Sequence, residues 1–228
     1  MPFYDSLQQQ TETQRQYLMA APIFSRMFSG DIYREDYAAF LAQAYQHVKH
    51  TVPLLMAVGA RLPDDKGWLL KAVAEYIEEE FGHEQWILDD IAAAGFDPEK
   101  ACLKAPNLAT ELLVAYAYDT VQRINPLGFF GMVQVLEGTS INMADSAAST
   151  IQKTLELPDS AFHYLRSHGA LDIEHVKLFA GLMDQITDPQ EQAVIVHSAQ
   201  VFYRLYGDVF RSLAPEQGRA IALECNNK

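Results

Sequence analysis

Along nearly the whole chain, apolar residues recur at alternating steps of three and four, the spacing of one face of a helix. Strand-like alternation is absent, so the pattern predicts an all-α protein of about seven helices and a short C-terminal helix. A first helix is expected over residues 6–28, ending at Ser29-Gly30. A second starts between Asp31 and Asp36 and runs to Leu62, with an apolar seam of Tyr37, Phe40, Leu41, Ala44, Val48, Val52 and Leu55. Pro53 has no amide hydrogen to donate and should kink it. A third helix follows Pro63-Asp64-Asp65 and continues to Ala94, where Gly95 is a natural stop. A loop over residues 96–107 leads to a fourth helix at 108–124, which Asn125-Pro126 breaks before a fifth at 127–155. The sixth is expected at 165–182, the seventh at 188–213, and the short tail helix after Pro215. No linker, repeat or low-complexity tract divides the 228 residues, which are expected to form a single domain, 1–228.

Three of these seams carry polar groups where a core residue belongs. The sixth reads Leu165, His168, Asp172, His175, Phe179, Leu182, apolar at its ends with two imidazoles and a carboxylate between. Such groups in a core seam need a ligand or a network to compensate their burial. The apolar stripe of the third helix (Leu69, Val73, Ile77, Ile87, Ile91) also spans Glu80, His83 and Glu84, with Glu79 at its margin and Glu78 outside. Glu80 and His83 are then an inward Glu-x-x-His pair, the arrangement by which helical bundles present two ligands to one metal. On the fifth helix, Glu137 shares a face with Phe130, Val133, Ile141 and Ala144, and an acid there calls for a partner. Phe129, Phe130, Met132 and Val133 are expected to wall a pocket beside it. Gly138 follows at a cost of about 1 kcal/mol relative to alanine, which a close approach of backbone or ligand would justify. His47 is expected at the edge of the apolar seam and His50 on the opposite, surface side, neither as a ligand. The sum is three carboxylates and three imidazoles on three helices. Mixed nitrogen and oxygen donors with open positions suit non-haem Fe(II), and six ligands divide into two sets sharing a carboxylate. The residues alone leave three readings open: a metal site, a metal-free polar active site, or a structural hydrogen-bonded network.

Composition narrows the partners. With 17 basic against 30 acidic residues and a net charge of −13, the chain lacks the basic face that a phosphate backbone requires, so no nucleic acid is expected. Cys102 and Cys225 lie far apart without metal-ligand spacing, which fits a reducing, cytoplasmic compartment. The N-terminal residues lack a basic region and an apolar core, and no run approaches the roughly 20 apolar residues of a membrane span.

The segment YAAFLAQAYQHVKHTVPLL and the motifs EEEFGH, VLEG and HGALDIEHVKLF, set in this all-helical layout, resemble the TenA/PqqC superfamily, whose fold is that of haem oxygenase. Within it they are most similar to the haem-oxygenase-like diiron oxidases and oxygenases. The layout matches over nearly the whole chain; the specific motifs lie between residues 80 and 175. The resemblance implies iron ligands from three core helices: a Glu/His pair, a single Glu, and a His-x3-Asp-x2-His group. Carried over, these are Glu80, His83, Glu137, His168, Asp172 and His175, with Glu137 and Asp172 as the catalytic carboxylates. The first glutamate varies between members, so Glu79, Glu84 or Tyr76 are substitutes for Glu80. The resemblance further implies two iron ions (Fe2+) per chain, dioxygen as co-substrate, a small-molecule substrate and a homodimer. There are also departures. The aminobenzoate-forming branch has a tyrosine before the single glutamate, where this chain has Leu136. The TenA enzymes use a core cysteine nucleophile, whereas Cys102 and Cys225 are expected in a loop and in the tail. Haem oxygenases use a proximal histidine on the first helix, but none precedes His47 here, so no haem is expected. The alternative is a metal-free TenA/PqqC-like protein that acts on or binds a heteroaromatic small molecule.

Overall fold

The computed structural model describes residues 1–213, without the side chains of Asn142 and of residues 168–175, and every regular element in it is helical. The expected first helix is three: α1 (Phe3–Gln10), α2 (Glu12–Met19) and α3 (Pro22–Phe28). Pro22 forces this division, because it drives Ala21 into an extended conformation (φ −66°, ψ 132°) before the chain turns helical again. The second is two helices, α4 (Arg34–Val48) and α5 (Thr51–Gly59). Pro53 sits in the first turn of α5, where its missing N–H interrupts no intrahelical bond, so the expected kink is a full break upstream. The third divides into α6 (Gly67–Glu80) and α7 (His83–Ala93), and Gly95 ends α7 in the left-handed region (φ +92°) as anticipated.

Within the stretch expected to be loop lies a short helix, α8 (Pro98–Leu103). Asp97 starts it by accepting from the N–H groups of Glu99 and Lys100, and Pro98 fills its first position. The remainder follows the pattern closely: α9 (Leu108–Asp119), whose last turn widens over 120–124, then α10 (Phe129–Leu155), α11 (His163–Asp184) and α12 (Pro189–Arg211). Twelve α-helices among the described residues therefore stand where about seven were expected. The expected tail helix after Pro215, and Cys225, lie outside the described residues. No described helix is long and apolar enough to cross a membrane.

Helix α4 runs through the core: residues 41–48 are all buried. Its polar residues there are tied to the next layer. Gln43 Oε1 accepts from the Asn107 amide at 3.0 Å and the Thr110 hydroxyl at 2.7 Å, and Gln46 Nε2 donates to the Lys104 carbonyl at 2.7 Å. These bonds fix the α8–α9 connection against α4. Helix α10 packs lengthwise on α11 and α12. At Gly131 the α12 backbone comes so close that an added Cβ would stand 2.5 Å from the Ala199 nitrogen.

The start of α11 is held from another helix. Asp90 of α7, fully buried, accepts from the backbone N–H groups of His163 and Tyr164, both at 2.9 Å. Burial raises its carboxyl to about 6, against the lowering by those two amides. Because the folded value exceeds the unfolded one, the folded state binds the extra proton between them, and this group's contribution to stability grows as pH falls through 6. Denaturant titrations at pH 7 and pH 5 should show wild type gaining about 1 kcal/mol on Asp90→Asn over that interval. Asp90→Ala leaves the amides of His163 and Tyr164 without their acceptor and should cost about 2 kcal/mol at pH 7 and about 3 kcal/mol at pH 5.

Candidate functional site

The site begins at the break between α6 and α7. Helix α6 ends at Glu80, Phe81 turns extended, and Gly82 takes φ +93°, a conformation that side chains disfavour. His83 then opens α7, so the Glu-x-x-His pair does not lie on one continuous helix; it meets across a two-residue corner. The pair is nevertheless joined: His83 Nδ1 lies 3.2 Å from Glu80 Oε2, with the imidazole 6% and the carboxylate 20% exposed. On its other side the His83 ring stacks on Trp86 at 4.0 Å between centroids, and Trp86 stacks on the exposed His163 at 4.6 Å. The ring of Trp86 is thus clamped between α7 and the first turn of α11, fixing the plane of His83.

Glu80 faces a cavity of about 60 Å³, against the roughly 10–15 Å³ that one water needs. Glu137 of α10 lines the same cavity, with its Oε2 fully covered. So do Tyr76, His47, Tyr164 and Tyr206. Tyr76 hydrogen-bonds Glu137, and its hydroxyl is pushed far above the usual phenol range, first by burial, then by the charge and hydrogen bond of Glu137, then by Glu79 and Glu80. It stays protonated at every physiological pH and serves Glu137 as a donor. Phe129, Met132 and Val133 wall the cavity as expected, whereas Phe130 turns fully into the core. Among the described residues, a Cβ added at Gly138 would meet Gln134 Nε2 at an ordinary 3.5 Å.

Of the expected ligands, the structure therefore places Glu80 and His83 together and brings Glu80 and Glu137 to one cavity. Among the substitutes for Glu80, Tyr76 lines that cavity. Glu79 is exposed, and the charge of Glu84 acts on Tyr45. The side chains of His168, Asp172 and His175 lie outside the described residues; the helical backbone that carries them is α11, packed along α10 beside Glu137. Among the described residues no three His, Cys, Asp or Glu side chains gather closely enough to hold an ion by themselves. The donors present are of the type that suits iron, two carboxylates and an imidazole. Cys102 is exposed on α8 against the Tyr45 hydroxyl, so no described thiol lines the cavity.

His47 corrects the sequence reading. Expected at a boundary, it is 2% exposed, and its ring meets Tyr206 edge-on at 5.8 Å. A signal for it exists, because residues 37–48 contain no charged side chain, and a helix without a charged face has no solvent face. His50 lies away from the cavity, with Nδ1 3.1 Å from the Tyr118 hydroxyl.

Residues 38–207 match the sequence profile of a family described as iron-containing redox enzymes. No curated protein matches the chain. Among solved structures, a domain of unknown function with a haem-oxygenase-like fold from Shewanella denitrificans superposes with a TM-score of 0.85 at 23% identity, covering 100% of this chain and 97% of that one. A TenA homologue from Pseudomonas syringae gives 0.75 at 12% identity, covering 92% of each chain. Haem oxygenase-1 from the cyanobacterium Synechocystis, solved with haem, gives 0.76 at 12% identity over 100% of this chain and 99% of that one. The likeness establishes the haem-oxygenase-like fold.

The Gly82 corner gives a direct test. Nothing stands within 4 Å of a Cβ added there, so Gly82→Ala carries only the left-handed backbone penalty and should cost about 1–2 kcal/mol. Gly181, also without a neighbour within 4 Å but helical, is the control: Gly181→Ala should stabilise by about 0.4–1 kcal/mol in the same denaturant titration.

Proposed function

The chain belongs to the iron-containing redox enzyme family, and on that premise we propose that it is a non-haem diiron oxidase or oxygenase that uses dioxygen to oxidise a small organic substrate. The observation that carries this reading is that Glu80, in contact with His83, faces the cavity that Glu137 also lines. Carboxylate and imidazole donors drawn from separate helices of one bundle are what a dimetal site there is made of. Glu80, His83 and Glu137 would hold the iron together with His168, Asp172 and His175 of α11. When bound, iron would supply the affinity for dioxygen and the electrons that reduce it.

The rest of the work falls to the chain's own residues. Tyr76, protonated, donates to Glu137 and holds that carboxylate in one orientation. Stacking on Trp86 keeps the His83 ring edge directed at Glu80, as the remote partners of a ligating histidine do. Phe129, Met132, Val133 and Leu136 keep bulk water from the cavity, which strengthens every charge interaction inside it. The substrate's reacting group is placed in this cavity, between Glu137 and the rings of Tyr164 and Tyr206.

Loading the purified protein with Fe(II) without oxygen, followed by gel filtration and metal analysis, tests the reading. About two irons per chain are expected, with Glu137→Ala and His83→Ala each losing at least half of that. Wild-type protein that retains no iron, while folded by circular dichroism, would sink the proposal in favour of a metal-free catalyst or binding protein.

A further inference from the structure

Two histidine rings stack on Trp86, one from inside the protein and one from its surface. The buried His83 ring lies 4.0 Å from the indole between centroids, with the planes 29° apart. The exposed His163 ring lies 4.6 Å away at 17°. Other histidines of this protein meet aromatic rings edge-on, His47 against Tyr206 at 84° and His50 against Tyr118 at 89°. An edge-on contact satisfies the ring quadrupole but overlaps the π systems little, whereas stacked faces overlap them. The three rings thus join the carboxylate of Glu80, 3.2 Å from His83 Nδ1, to the surface at the start of α11. The spacing is held from outside the rings: Asp90, four residues beyond Trp86 on α7, accepts from the amides of His163 and Tyr164 at 2.9 Å.

The rings differ in how they respond to an oxidant. Indole and phenol give up one electron far more readily than imidazole or a benzene ring does. Of the three stacked rings, only that of Trp86 can therefore carry the positive charge left by a lost electron. It is also half-buried, so one part of it is within reach of solvent. The phenols that line the cavity, Tyr76, Tyr164 and Tyr206, are all buried, where a donor in solution does not touch them.

We infer that Trp86 is a one-electron relay between the proposed metal site and solvent, which discharges the site when dioxygen has reacted there and no substrate is bound. The inference rests on the dimetal reading above. The oxidising equivalent that dioxygen brings to the site takes one electron from Trp86 by way of the His83 ring. The indole is left as a radical cation, and no bond forms or breaks in this step. A small one-electron donor in solution, such as ascorbate, returns the electron to the indole and is itself oxidised by one electron. Without a donor, the radical combines with dioxygen, and oxygen is added to the indole ring.

The experiment exposes Fe(II)-loaded protein to dioxygen without substrate and reads oxygen added to each tryptophan by peptide mass spectrometry. Trp68 is the internal control, since it is half-buried like Trp86 but sits at the start of α6. Oxygenated Trp86 is expected with Trp68 unchanged; ascorbate should abolish the product, and Zn(II)-loaded protein should give none. Two variants separate a relay from a mere clamp, because phenyl and phenol rings stack alike but differ in ease of oxidation. With ascorbate present, Trp86→Phe should accumulate oxidised Tyr76 and His83 per iron bound, whereas Trp86→Tyr should keep them intact, as the wild type does. Trp86 oxidised no more than Trp68, or equally with zinc, overturns the relay and leaves the dimetal reading standing. So does equal damage in the two variants. Wild-type protein that takes up no iron overturns both readings. Should a variant fail to fold, the wild-type comparison of Trp86 with Trp68, with iron and with zinc, still decides.

Discussion

The corner at Phe81 and Gly82 is the constraint on which the site depends. In one continuous helix Glu80 and His83 would be i, i+3 neighbours on a single face. Instead the left-handed glycine turns the chain, and the carboxylate of one helix end reaches the imidazole at the start of the next. The cost of that backbone conformation falls on the one residue type that bears it without a Cβ clash. Trp86 then fixes the imidazole from behind, and its second face rests on His163, so the geometry of the corner is transmitted to α11.

The same link is made a second time by Asp90. A carboxylate on α7 capping the amides of His163 and Tyr164 means that α11 cannot shift along α7 without exposing two buried N–H groups. Two helices that carry expected iron ligands are thereby set in register by contacts outside the ligand set. Precise sites require such support, since side chains held only by their own rotamers wander by more than catalysis tolerates.

Burial of polar groups is arranged unevenly in this core. Gln43, Gln46 and Tyr37 on α4 all reach partners in other elements and act as ties between layers. The acids at the cavity are treated differently: Glu137 is covered, hydrogen-bonded by Tyr76, and set where other carboxylates raise rather than relieve the local negative charge. A bound cation would balance that charge, the part that the proposed iron would play.

The sequence by itself determined the fold class, because a three-and-four spacing sustained over the chain can bury its apolar face only as packed helices. It also singled out Glu80, His83 and Glu137, since an ionisable residue inside an apolar stripe is visible from spacing alone. The helix breaks at Ala21 and Phe81 do not show in that spacing, because periodicity survives a corner of one or two residues; Pro22 and Gly82 mark where a break is allowed, and the backbone angles show that the chain takes it. His47 was legible only through the uncharged run over residues 37–48; its spacing puts it at the edge of the seam, and the fold sets its ring against Tyr206 of α12. A cavity of about 80 Å³ between α3, α4, α10 and α12 belongs to the same category. Phe24, Phe40, Met143 and Phe210 each read as ordinary core residues. Only the packing of α3, α4, α10 and α12 decided that they would leave a space between them, because cavities are properties of how surfaces meet and not of any one helix.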